Sequence, residues 1–280
     1  MKIAVMTDST SYIPVKLREK LNIHMVPLSV MFGDETYQEE IDITAGEFYE
    51  KMREYKSLPT TSQPSIGYVT KKLEQLAEDY DAVISVHLSS GISGTYNAVV
   101  SAGEMVDGID LYAFDSESSC YVQAFYIIEA VEMAKQNKTP EEIMARLNEM
   151  KQTMRAYFMV DDLTNLMRGG RLSNAQAIVG SLLQVKPILH FADKKIVPFE
   201  KIRTRKKALN RIIGMLEEDA IAAKELKVCF IHGNNEQAAK ELEAEFNEKY
   251  PTIETTISYF GPVIGTHLGE GAIGVGWYVK

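Results

Sequence analysis

Apolar residues in the first half of the chain fall into short runs separated by stretches of helical spacing. Strands are predicted at "KIAVMT" (2–7), "IHMVPLSVMF" (23–32), "DAVISVHL" (81–88) and "IDLYAFD" (109–115). Between them, "TAGEFYEKMREY" (44–55) opens with Thr44 and Glu47, whose side chains can satisfy each other's free backbone N–H groups at a helix start. "SIGYVTKKLEQLAEDY" (65–80) keeps Ile66, Val69, Leu73 and Leu76 on one helical face. Thr139-Pro140-Glu141-Glu142 repeats the capping logic, with proline at the first helical position. Strands alternating with helices predict a parallel sheet covered on both faces.

After about residue 155 the rhythm changes. Six strand candidates follow: "AYFMV" (156–160), "KPILHFA" (186–192), "KKIVPFEKI" (194–202), "KVCFIHG" (227–233), "ETTISYF" (254–260) and "AIGVGWYVK" (272–280). The second and third of these are joined so closely that a hairpin fits better than a crossover. The second half is therefore expected to be a mixed sheet with helices on one face. A chain of 280 residues is long for one core, and the expected division is 1–155 and 156–280.

Composition narrows the function classes. Apolar residues make up 45% and charged residues 25%, ordinary for a soluble globular protein. The net charge of −9 argues against a broad nucleic-acid surface, which needs a basic patch to replace phosphate counterions. The basic cluster "KIRTRKK" (201–207) reads as a solvated helix start. Cys120 and Cys229 form no disulfide framework, so a reducing compartment is expected, with both thiols buried. The N-terminus reads as a strand rather than a signal peptide, and no run approaches the roughly 18 apolar residues of a spanning helix. The expectation is a cytoplasmic protein without stable membrane insertion.

Three stretches carry candidate chemistry. "PTTSQPS" (59–65) holds Thr61 and Ser62 ahead of a helix. "HLSSGISGTYNAV" (87–99) sets Ser89, Ser90, Ser93 and Thr95 around Gly91 and Gly94, after a strand and at a helix start, where free N–H groups favour an anion. "GPVIGTHLGEGAIG" (261–274) places Thr266 and His267 among five glycines. Caps, turns and a structural histidine would account for each stretch singly. Together they contain neither lysine nor arginine, and their one acid is Glu270. A triphosphate loop would supply a lysine, and no G-x-G-x-x-G follows the first strand. Hydroxyls, backbone amides and an imidazole suit a singly charged, planar anion, a carboxylate. No metal is expected, because the five histidines lack the close spacings of ligands. A rival reading stays open: Gly91-Ile92-Ser93-Gly94-Thr95 is one residue from the G-x-S-x-G elbow of a serine-dependent acyl hydrolase. Asp115 or Asp161 and then His267 follow it in chain order.

Those three stretches, with "TDST" (7–10) and "DDLTNLMRGGRLS" (161–173), resemble the DegV family in order along nearly the whole chain. The resemblance implies an α/β protein of two domains, a three-layer parallel-sheet domain and a two-layer mixed six-stranded one. It also implies a long-chain fatty acid such as palmitate bound between the domains. Carried over residue by residue, Thr61 and Ser93 would hold the carboxylate with His267 in the same network, and Ser62, Gly94, Thr95 and Thr266 lie in the same motifs. Some members serve as the lipid-carrying subunit of a fatty-acid kinase, so a separate catalytic partner is implied, with no chemistry in this chain and no cofactor. An alkyl tail of some fourteen methylenes would contribute on the order of 11 kcal/mol gross on burial, leaving the polar loops to orient the head group. Arg168 and Arg171 flank a glycine pair, and both guanidinium groups are expected to project from a turn, as a helix end or as a partner-docking loop.

Overall fold

Four strands of the first half form a parallel sheet in the order β2-β1-β6-β7: β1 Ile3–Asp8, β2 Ile23–Val26, β6 Ala82–His87 and β7 Asp110–Asp115. The computed structural model describes residues 1–55, 57–173, 186–223 and 225–280. Successive side chains of a strand point to opposite faces, and the apolar residues divide accordingly. Ala4, Met6 and Val83 meet α3 (Ile66–Ala77) and α4 (Thr95–Gly103), whereas Val5, Ile84 and Val86 meet α5 (Cys120–Lys135) and α6 (Pro140–Thr153). Both capping boxes form, at Thr44/Glu47 ahead of α2 (Ala45–Glu54) and at Thr139/Glu142 ahead of α6.

The apolar run 23–32 is two strands in two sheets. Pro27 has no N–H for a ladder and ends the parallel pairing. Beyond it, β3 (Ser29–Phe32) joins β4 (Glu35–Gln38) and β5 (Thr60–Ser62) in a small antiparallel sheet ordered β4-β3-β5. The stretch "PTTSQPS" is therefore partly an edge strand. Its pairing of Thr61 with Val30 leaves Thr61 half-buried while Thr60 and Ser62 are exposed.

The remaining sheet has six strands in the order β10-β9-β8-β13-β11-β12. They are β8 Arg155–Met159, β9 Ile188–Ala192, β10 Lys195–Glu200, β11 Leu226–His232, β12 Glu254–Tyr259 and β13 Ile273–Val279. Only β11 and β12 run parallel, so the sheet is mixed. Asp193 and Lys194, both in the left-handed region (φ 47° and 68°), make the two-residue hairpin between β9 and β10. One face, with Met159, Ile188, Phe230, Val275 and Trp277, packs on α8 (Arg205–Ala222) and α9 (Glu236–Lys249). The basic cluster runs into α8, which Thr204 caps. The opposite face, with Phe158, Leu189, Ile231 and Tyr278, shares one core with α5 and α6. The two large sheets thus face each other across common apolar contents. Among the described residues, no helix is long and apolar enough to cross a membrane.

Candidate functional site

A cavity of about 310 Å³ lies where these halves meet. Thr61 and Ser62 reach it from β5, Ser93 and Gly94 from the turn before α4, and His267 from α10 (Pro262–Leu268). Most of the remaining wall is apolar, including Leu28, Leu88, Val122, Phe158, Ile231 and Phe260. The three stretches singled out by sequence therefore converge on one space.

His267 Nε2 lies 2.9 Å from Thr61 Oγ1. Burial, and after it the nearby Arg171 charge, lowers the imidazole pKa to about 4, so the ring is neutral at physiological pH. Its Nδ1 is buried without a hydrogen-bond partner, against the backbone of Gly169. An orphaned acceptor costs less than an orphaned N–H, which assigns the ring proton to Nε2. His267 then donates to Thr61, and the Thr61 hydroxyl proton is free to serve a ligand. Ser93 Oγ accepts from Thr95 N–H at 3.3 Å and lies 2.9 Å from Thr95 Oγ1. Thr95 and Thr266 are fully or nearly buried outside the cavity wall, and Thr266 donates back to the Pro262 carbonyl at 2.8 Å.

The loop bearing Ser93 is held from four sides. Leu88 N–H donates to Asp8 at 2.9 Å, and Ser90 donates to Asp115 through both its N–H (3.1 Å) and its hydroxyl (2.5 Å). Ser89 Oγ donates to the Lys194 carbonyl of the β9–β10 hairpin at 2.6 Å. Gly91 lies so close to that carbonyl that a Cβ would collide with it, and a Cβ at Gly94 would collide with Gln63. The helix bearing His267 is held by Glu39, which accepts from Val263 N–H (2.7 Å), Tyr12 hydroxyl (2.9 Å) and Ser9 hydroxyl (2.5 Å). Glu39 is completely buried, and that burial pushes its pKa up to about 8 despite the three donors.

Arg171 does not project from its turn. It lines the cavity half-buried, donating to the carbonyls of Ile92 (3.1 Å) and Gly169 (2.7 Å), and has no carboxylate partner among the described residues. Arg168 is the exposed member of the pair. The sequence predicts that Arg171 projects from this turn, as a helix end or a docking loop, and marks out neither Gln63 nor Glu39. The glycine pair after Arg168 was the available signal for a tight return into the protein.

Among the described residues, the acyl-hydrolase arrangement of Ser93 and His267 does not form. His267 meets Thr61 rather than Ser93, Asp115 is engaged by Ser90 and Lys194, and Asp161 by Arg205. A serine–histidine–aspartate relay does exist elsewhere. Ser85 Oγ lies 2.6 Å from His87 Nε2, and His87 Nδ1 lies 3.0 Å from Asp8 Oδ2. All three residues are 0% exposed, so no substrate reaches that serine. Among the described residues, no cluster of three or more histidine, cysteine or acidic side chains is placed to hold a metal.

The family model described as "Uncharacterised protein, DegV family" matches residues 2–280. Protein DegV of Bacillus subtilis is 57% identical over 281 residues, with all of both chains aligned. The crystal structure of DegV, a fatty acid binding protein from Bacillus subtilis, superposes with a TM-score of 0.96 at 56% identity, covering 100% of each chain. A DegV family protein from Thermus thermophilus, whose structure concerns its fatty acid binding, superposes with a TM-score of 0.93 at 30% identity over 100% of each chain. With the whole chain matched at this identity, in a fold of the same two sheets, the chain belongs to the DegV family.

Proposed function

We propose that this protein binds a long-chain fatty acid such as palmitate, its carboxylate held by Ser93 and Thr61 and its tail buried among apolar side chains. One observation carries the reading: Thr61, Ser93 and His267, far apart in sequence, line a single cavity whose other walls are largely apolar. The fatty-acid-binding relatives support the ligand class. The division into 1–155 and 156–280, with lipid between them, belongs to the same proposal, since both stretches supply the wall.

The chemistry is that of capture. A carboxylate buried without partners is strongly unfavourable, so hydroxyl donors at the head end fix the orientation of the acid. His267, donating to Thr61, orients that hydroxyl toward the acid. Arg171 adds a positive charge in the same wall, so the site combines neutral donors with a counter-charge. Methylene burial supplies most of the affinity. In this reading the chain acts as a carrier that presents the acid to a separate kinase, since among the described residues His267 meets Thr61 and not Ser93. Exposed Arg168 is the docking residue in that reading.

Mass spectrometry of the purified protein under native and denaturing conditions tests the carrier. A fatty acid released intact on denaturation is the expected result; covalent labelling of Ser93 by a fluorophosphonate would favour the hydrolase instead. Arg168→Ala is expected to leave palmitate affinity unchanged and to lower partner-dependent phosphorylation. Unchanged phosphorylation removes Arg168 from the docking role.

A further inference from the structure

The tail cavity shares a wall with a neighbouring cavity of about 330 Å³: Ser118, Ala156, Tyr157 and Phe191 line both. Strand pairing stops at this wall. The ladder between β8 and β9 ends at the pair Tyr157–His190, although β8 begins at Arg155 and β9 continues to Ala192. The sheet is therefore unpaired between 155–156 and 191–192, and the side chain at position 156 is only a methyl group.

The second cavity, like the first with its Arg171, carries charged side chains. Glu117, Lys151 and Arg155 line it. Lys151 Nζ lies 2.9 Å from Glu117 and 4.4 Å from the centre of the Phe114 ring, so it is already partnered. Arg155 donates only to the backbone carbonyls of Gln152 and Met154, both at 3.1 Å, and no carboxylate pairs with it among the described residues. Two cations thus face one acid, leaving an excess positive charge beyond the apolar wall.

We propose that the second cavity receives the far end of an acyl chain that carries an anionic group there, as in a long-chain α,ω-dicarboxylic acid. This rests on the fatty-acid reading of the first cavity. A terminal carboxylate stranded among apolar side chains would be an unpaired buried charge. Threaded past Ala156, it meets the guanidinium of Arg155, which presents planar paired donors to a carboxylate.

The test is displacement of a fluorescent fatty acid from the full chain by palmitic acid and by hexadecanedioic acid. Arg155→Gln is expected to weaken the diacid by about tenfold, the loss of one charge-assisted hydrogen bond, and to leave palmitate unchanged. Glu117→Gln, which removes the competing acid, is expected to strengthen the diacid and again spare palmitate. Opposite signs from two neighbouring substitutions would not arise from misfolding. Equal effects on both acids, no effect on either, or failure of the parent to take the diacid would overturn the proposal. Failure of the parent to bind palmitate would instead overturn the reading beneath it.

Discussion

Two imidazole–hydroxyl clusters sit among the described residues, and only one of them faces a cavity. Ser85, His87 and Asp8 have the bonding pattern of a catalytic relay, yet every member is sealed from solvent. Thr61, His267 and Ser93 lack the carboxylate, and they line the space where a ligand fits. The contrast teaches that bonding pattern alone does not make a site. The carboxylate in the sealed cluster is a structural hub: Asp8 accepts from Thr10 through both its N–H (3.0 Å) and its hydroxyl (2.6 Å), as well as from His87 and Leu88. Burial alone would raise its pKa, but these partners outweigh burial and hold it below the usual carboxylate range. The open cluster keeps its imidazole neutral and its Nδ1 unpaired, which suits orienting a donor rather than accepting a proton from serine.

If this division is right, Asp8→Ala gives the largest effect of all, a loss of about 3–5 kcal/mol in urea unfolding, because it leaves several buried donors without an acceptor. The stability that Asp8 contributes is present above its unfolded pKa and lost as pH falls through its lowered folded value. A loss below about 1 kcal/mol would show that the sealed cluster is not a hub.

The two clusters also differ in how far sequence revealed them. Thr61, Ser93 and His267 stand in glycine- and hydroxyl-rich stretches whose composition departs from their surroundings, so each could be found locally. Asp8 and His87 also fall in distinctive stretches, "TDST" and "HLSSGISGTYNAV", but they are 79 positions apart, and only the pairing of β1 with β6 brings them together. The alternation of strands and helices was legible for the same local reason, as were the capping boxes and the β9–β10 hairpin. The break at Pro27 was not, because both sides of it are apolar and the run reads as continuous. Arg171 was misplaced because its inward course depends on the Ile92 carbonyl in another segment.

Next in size come the cavity hydroxyls. Ser93→Ala and Thr61→Ala are each expected to weaken palmitate by about 1–3 kcal/mol in titration calorimetry, since a charged acceptor loses a donor in a dry site. Ser85→Ala is the matched control from the sealed cluster. It is expected to lower stability and leave palmitate affinity unchanged. Parent-like palmitate binding by a Thr61→Ala/Ser93→Ala double variant would break the comparison at its functional end.

Titration sharpens it further. His267 has a folded pKa of about 4, below its usual 6.5, so its contribution to stability is present above 6.5 and is lost as pH falls toward 4. Glu39 has the opposite sign: with its pKa raised from 4.5 to about 8, its contribution is full below 4.5 and is lost as pH rises through 8. Between 6.5 and 8 only the Glu39 slope remains of these two, on the order of 2 kcal/mol. Glu39→Gln is expected to flatten that decline in unfolding measurements at stepped pH. An unchanged slope would mean that Glu39 does not titrate where its burial places it.

The smallest expected effect concerns Glu270, the single acid in the three stretches that reach the cavity. Were the open cluster a disguised relay, Glu270 would be the natural base for His267. Its carboxylate is instead held on the surface, bonded twice by Arg53 of α2 at 2.8 and 3.0 Å and once by Asn234 at 2.7 Å. These bonds hold its pKa below the ordinary glutamate value. Exposed ion pairs of this kind contribute little, since water competes for both partners. Arg53→Ala is therefore expected to shift the unfolding midpoint less than Asp8→Ala and to leave palmitate affinity within about a factor of two. A larger loss of lipid binding would tie Glu270 to the head group after all, and the open cluster would then have a carboxylate as the sealed one does.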